Sequence, residues 1–93
     1  MTLREIIKDL ARLNNDLVIF ATKNEKWQID MAAALILESD MDALGIRAEN
    51  LTYFLEVEVA KSVVDVWRKW HDGKEPDETQ RLEALTYYAD NDA

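Results

Sequence analysis

Few of the residue types that carry enzymatic chemistry occur in this sequence. It has no cysteine, a single histidine (His71) and only two glycines, Gly45 and Gly73. Thiolate catalysis and thiolate zinc sites need cysteine, multi-histidine metal centres need more than one histidine, and a phosphate-binding loop needs several glycines. The sequence therefore predicts a protein that is not an enzyme, with no catalytic residue, no cofactor and no metal site.

Asp40, Asp42 and Gly45 have a spacing similar to the start of a calcium-binding loop. The third ligand position and the terminal bidentate glutamate that calcium requires are missing. We interpret residues 40–45 as a solvated helical turn that ends at a glycine.

Glu56 is the acid whose position raises a chemical question. If the residues around it are helical, Glu56 lies in the middle of an apolar face, where an unpaired carboxylate is costly. Three explanations are open. Glu56 lies on the exposed face of a strand, or it pairs with a base such as Lys8 or Arg12, or it is a functional acid in a groove.

Surplus negative charge is the strongest compositional signal. Nineteen acids against eleven bases give a net charge of −8, and residues 38–58 and residues 72–93 each carry a net charge of −5. Nucleic acids and anionic lipids favour basic surfaces, so we expect neither direct nucleic-acid binding nor membrane binding. A basic protein is the expected partner, because complementary fields speed association. The alternative is that the acidity only keeps a small domain in solution.

Four residues are the candidate partner contacts. Glu56 and Glu58 lie in the first acidic stretch, and Glu83 lies in the second. Tyr87 falls off the inner stripe of the last predicted helix, beside Glu83, and tyrosine is enriched among the residues that dominate binding energy. The alternative for Tyr87 is a half-buried ring against the preceding loop.

The first half of the chain predicts a helix followed by a β-hairpin. Thr2 and Glu5 have the spacing of a capping box, and apolar residues recur at helical intervals from Leu3 to Leu13. Residues 17–21 are short, β-branched and apolar, as in a buried strand. Residues 27–38 alternate between apolar and polar or small side chains, which favours a second strand.

The second half predicts two helices. Residues 59–70 divide cleanly into an apolar and a polar face, with Trp67 and Trp70 on the inner side, and we expect Trp27 to be core as well. Residues 51–58 fit either the first turns of this helix, which we favour, or a third strand. A turn over residues 72–76 precedes a final helix, in which Asp77 and Gln80 have the spacing of a second capping box.

These elements fit one small α+β domain over residues 1–93, with an N-terminal helix, a β-hairpin, a long amphipathic helix and a C-terminal helix. We expect no signal peptide, because the first residues already follow an amphipathic pattern with charges. The longest apolar run, residues 31–37, is far shorter than the roughly 20 residues needed to span a bilayer. We expect a cytoplasmic protein. The sequence does not define its oligomeric state.

The chain resembles a group of small bacterial proteins of unknown function. The resemblance is carried by residues 2–7, 53–57, 60–61, Trp67 and 87–93. It implies no activity and no catalytic residue. In size and acidity the chain is also similar to bacterial immunity proteins, which bind and neutralise a toxin domain.

Together these features lead to the hypothesis of a non-catalytic, immunity-type inhibitor that occludes the active cleft of a basic, nuclease-like toxin. One alternative is an acidic DNA-mimicking inhibitor of a nucleic-acid-binding defence complex. The other is a structural or regulatory subunit, in which an exposed apolar patch should outweigh the acidic one.

Overall fold

The fold consists of three α-helices and a three-stranded sheet, as seen in a computed structural model that describes residues 1–22, 26–37, 39 and 51–91. In chain order the elements are α1 (Leu3–Lys8), a short 3-10 helix (Leu10–Arg12), β1 (Leu17–Ala21), β2 (Ala33–Leu37), β3 (Thr52–Glu56), α2 (Val57–Trp70) and α3 (Glu78–Asn91). This arrangement confirms the α+β class. The turn predicted over residues 40–45 lies outside the described residues.

The N-terminal helix forms where its cap and its apolar spacing predict it. The hydroxyl of Thr2 accepts a hydrogen bond from the backbone N–H of Glu5 at 3.3 Å. The α-helix ends at Lys8 and the following 3-10 helix continues the same apolar side, so that Leu3, Ile6, Ile7 and Leu10 are all buried. The predicted helix therefore has two parts.

Strand β1 is the central strand of the antiparallel sheet, whose order is β2-β1-β3. Leu17 pairs with Leu37 on one side, and Ile19 pairs with Leu55 on the other. Four of the five residues of β1 are buried, because helices cover one face of the strand and side chains of both neighbouring strands flank it. The prediction of a buried strand at residues 17–21 is confirmed.

The second strand is shorter than its alternating pattern predicts. It begins at Ala33 instead of residue 27. The carbonyls of Ile29 and Met31 accept hydrogen bonds from the N–H groups of Arg4 and Leu3, at 2.8 and 3.0 Å. The N–H of Ala33 likewise donates to the carbonyl of Met1, so the N-terminal residues bind the edge of this segment that faces away from β1. Residues 28–31 form a turn instead of a longer strand.

Our preference for helix at residues 51–58 was wrong. Residues 52–56 form the third strand, and α2 begins at the next residue. Glu56, the last residue of β3, keeps an extended backbone with φ −68° and ψ 145°. The chain therefore changes from strand to helix without a connecting loop, which is why no glycine or proline marks the boundary.

Helix α2 buries Val57, Ala60 and Val64, and α3 buries Leu85 against the same core. The turn between the two helices places Asp72 and Gly73 at positive φ, 57° and 80°. The second capping box is confirmed, because Asp77 and Gln80 exchange side-chain hydrogen bonds with each other's N–H groups at 2.9 and 2.8 Å. None of the helices in the described part of the chain combines the length and apolar character needed to cross a bilayer.

The three tryptophans do not share one environment. Trp27 packs on the core with its ring centroid 4.7 Å from that of Phe54, and Trp67 is half-buried and stacks on His71. Trp70 is 81% exposed, so its assignment to the core was wrong. It is the last residue of α2.

Candidate protein-binding surface

Glu56 and Glu58 lie together where β3 meets α2. Glu56 pairs with Val18 across the sheet and is half-buried, whereas Glu58 is exposed in the first turn of the helix. Within the described residues no ion pair involves either carboxylate, so Lys8 and Arg12 do not neutralise Glu56. Glu56 lines an open cleft of about 440 Å³ together with Phe54.

Glu83 and Tyr87 lie on the outer face of α3. They are four residues apart, which places their side chains one above the other on the same side of a helix. Tyr87 is 73% exposed and Glu83 is exposed, while Leu85, on the opposite side, is fully buried. We refer to Glu83 and Tyr87 as the α3 outer face. The half-buried alternative for Tyr87 is wrong.

The four predicted contact residues thus fall into two pairs on different elements. One pair is at the start of α2, and the other is on α3. Glu58 borders a groove between α2 and α3, described below, whereas Glu83 and Tyr87 point to solvent from the far side of α3.

Much of the acidity of residues 72–93 is used inside the protein. Glu75 contacts Arg68 and Arg81, with its carboxylate oxygens 2.7 Å from Arg68 Nε and 3.4 Å from Arg81 Nη2. Glu78 accepts a hydrogen bond from Arg4 Nε at 2.6 Å. The hydrogen bonds from Arg68 are the main reason that the pKa of Glu75 is lowered. These carboxylates are less available to a partner than the net charge suggests.

Sequence reasoning missed an apolar groove of about 450 Å³ between α2 and α3. Val59, Val63 and Val66 line it from α2, and Tyr88 lines it from α3. Together with Trp70, the three valines form one line along α2, and we call these four residues the outer stripe. The spacing of 4, 3 and 4 residues was visible in the sequence, beside the separate core spacing of Val57, Ala60 and Val64.

The side chains exposed on these surfaces are aromatic, aliphatic and carboxylate groups. No three His, Cys, Asp or Glu side chains converge as metal ligands anywhere in the described ranges of the chain. His71 caps the end of α2, where its Nδ1–H donates to the carbonyl of Trp67 at 2.7 Å and its ring stacks on the indole of that residue. Exposed aromatic, aliphatic and carboxylate groups are the components of a protein interface.

Comparison with known proteins gives a family and no activity. No curated protein and no solved structure matches the chain. A family model described as a domain of unknown function (DUF7716) matches residues 1–93. The predicted resemblance to a family of unknown function is thereby confirmed, and the chain belongs to the family of this domain of unknown function, DUF7716.

Proposed function

We propose that this domain is a non-catalytic protein-binding module, and most concretely an immunity-type inhibitor that occludes the cationic cleft of a basic, nuclease-like toxin. The observation that carries the proposal is the α3 outer face. It combines an aromatic ring that is 73% exposed with a glutamate one turn earlier that has no ion pair among the described residues.

Physical chemistry links this face to a basic partner. Tyrosine brings a large contact area with few rotatable bonds, and it is frequent among the residues that dominate interface energies. The neighbouring carboxylate of Glu83 would meet a lysine or arginine that otherwise binds a phosphate. Glu56 and Glu58 add negative charge at the start of α2 and would strengthen the attraction during encounter.

The test uses purified basic, nuclease-like toxin domains as candidate partners, with inhibition of their nuclease activity and the Kd of the complex as readouts. We expect Tyr87→Ala to weaken binding by about 30-fold, the loss typical of a dominant interface residue. Glu83→Gln should weaken binding less and should reduce its salt dependence. Asp16→Asn is the matched control, because it removes one exposed negative charge at a distant turn.

Two results would refute the proposal. If no inhibition occurs, the immunity role is lost. If the complex forms but is insensitive to salt and to both α3 substitutions, the partner docks elsewhere and the electrostatic mechanism is wrong.

A structural or regulatory subunit is the second candidate, and the exposed outer stripe is the observation that favours it. Such a subunit would bind its partner through apolar contacts and would not inhibit a toxin. The DNA-mimic alternative has less support. It requires an uninterrupted row of available carboxylates, and Glu75 and Glu78 are engaged by arginines.

A further inference from the structure

The outer stripe is a second apolar face on a helix that already has one. Val57, Ala60 and Val64 bury one side of α2 in the core. On another side, Val66 is 50% exposed, Trp70 is 81% exposed, and Val59 and Val63 are half-buried. Apolar residues at alternating intervals of four and three are the pattern by which one helix packs along another. Val59 and Val63 already pack in part against the core, beside Tyr88 of α3. The exposed remainder of the stripe is open to a further helix.

We propose that this further helix is α2 of a second copy of the chain, packed antiparallel about a two-fold axis. The axis would pass between Val63 and Val66, so that each of these residues lies opposite the other in the second copy. Val59 then lies opposite Trp70 at both ends. A small side chain facing a large one at each end lets the two stripes interdigitate, as close packing requires.

The charges beside the stripe fit the same arrangement. Glu58 and Lys69 lie eleven residues apart, which places them within about 20° of each other around the helix and on the same flank of the stripe. The two-fold axis places Glu58 within two residues of the level of Lys69 in the second copy. The two side chains are then offset by about 3 Å along the helix axis. Two equivalent ion pairs would form, one at each end.

Both charges are available for such a contact as far as the described part of the chain is concerned. The ion pairs of the described residues involve neither Glu58 nor Lys69. A parallel arrangement would instead set Trp70 level with Trp70, which brings the bulky rings together, and it would place Glu58 and Lys69 of the two copies on opposite flanks of the interface, where they cannot pair. The antiparallel pairing is thus the one for which α2 is self-complementary.

This inference does not depend on the main toxin contacts proposed above, because Glu83 and Tyr87 lie on the outer face of α3, and the two proposals share only Glu58. Each copy carries a net charge of −8, which opposes association at low ionic strength. The measurement is therefore made at physiological salt, where the Debye length is about 8 Å and the long-range repulsion is screened.

Sedimentation equilibrium over a range of protein concentrations tests the proposal. The unaltered chain should show a reversible monomer–dimer equilibrium. Trp70→Ala should raise the dimer Kd by at least about tenfold, since two indoles leave the interface. Tyr87→Ala is the matched aromatic control and should leave the dimer Kd unchanged.

A charge exchange tests the antiparallel register. Glu58→Lys and Lys69→Glu should each raise the dimer Kd by about fivefold, and the double variant should return it towards that of the unaltered chain, because the two ion pairs re-form with reversed polarity. Circular dichroism checks that all variants remain folded.

Three outcomes would overturn the inference. If the chain is monomeric at every concentration, the stripe serves a different protein. Dimers that Trp70→Ala leaves unchanged use another surface. Failure of the double exchange to restore the dimer rules out the antiparallel register.

Discussion

Arg68 donates a hydrogen bond from Nη2 to Oε2 of Glu75 at 3.0 Å, and this contact joins the last turn of α2 to the loop that leads into α3. Arg68 also pairs with Asp65, and Arg81 of α3 approaches the same carboxylate of Glu75. The guanidinium groups lower the pKa of Glu75, and the carboxylates raise that of Arg68. The loop between the helices is therefore fixed by charge as well as by backbone geometry.

Glu75 should make stability depend on pH. Its pKa is lower in the folded protein than in the unfolded chain, so the contribution of Glu75 is complete above the ordinary pKa of a glutamate. That contribution is lost as the pH falls from there through the lowered value, because the unfolded chain binds more protons. We expect Glu75→Gln to be less stable than the unaltered chain at neutral pH and to lose less stability on acidification.

Urea unfolding measured from neutral pH down to pH values below the ordinary glutamate pKa checks this expectation. Asp16→Asn, for which no ion pair occurs among the described residues, is the control. Parallel pH profiles for Glu75→Gln and the unaltered chain would contradict it.

The capping box of α3 should be a measurable source of stability. Asp77→Ala removes the oxygen that accepts from the N–H of Gln80. Loss of such a cap costs about 0.5–2 kcal/mol in the free energy of unfolding. Urea denaturation measures this loss, and Thr79→Ala, an exposed substitution in the same turn, should stay within about 0.5 kcal/mol of the unaltered chain. Equal losses for the two variants would refute the role of the cap.

Gly73 should be required because the turn needs a positive φ, and not because a side chain at this position would clash with its surroundings. Its φ is 80°, and a Cβ at this position would meet nothing within 4 Å. Its N–H donates to the carbonyl of Arg68 at 2.7 Å, which closes the end of α2. Gly73→Ala should therefore cost about 1–2 kcal/mol of unfolding free energy through backbone strain alone.

The neighbouring Lys74→Ala serves as the control and should be nearly neutral, because Lys74 is exposed. A Gly73→Ala variant as stable as the unaltered chain would show that the turn adapts to a negative φ.

Truncation of Leu85 and truncation of Trp70 should lower the free energy of unfolding by very different amounts. Leu85 is fully buried, so Leu85→Ala should lower the unfolding free energy by about 2–5 kcal/mol. Trp70 is mostly exposed. Trp70→Ala should therefore change the free energy of unfolding by less than about 0.5 kcal/mol in dilute protein, where no dimer contributes. A large loss for Trp70→Ala under those conditions would mean that the indole packs on the core after all.

The elements that could be predicted from the sequence are those whose signals are local. Thr2 and Asp77 cap helices with side-chain oxygens that accept hydrogen bonds from the backbone N–H groups three residues further along, so a short window of sequence contains both partners. Residues 17–21 are apolar throughout, as a central strand requires. The α+β class followed from these segments.

The boundaries that failed depend on distant partners. Strand β2 starts late because residues 28–31 form a turn beside the N-terminus of α1, which nothing in their own alternation indicates. At residues 52–56 both helix and strand satisfied the local pattern. The decision came from pairing with β1, including the contact of Leu55 with Ile19.

In the candidate site, too, the local sequence pattern did not reveal which side chains the rest of the chain covers. Helical periodicity indicated that Trp70 shares a side of α2 with other apolar residues, but it could not show how far along the axis the rest of the core reaches. The outer stripe was therefore assigned to the core. Tyr87 was placed correctly on the outside, because its position relative to Leu85 depends only on the helix to which both belong.

The order of the strands also has a consequence for how the protein is made. The strand at the centre of the sheet is the first to leave the ribosome, and its second neighbour is complete only at residue 56. Until then the apolar residues 18–20 have one flank without a hydrogen-bonding partner, and such non-local pairing slows folding. Fragments that end before β3 should therefore aggregate through the edge of β1 that β3 covers in the complete fold.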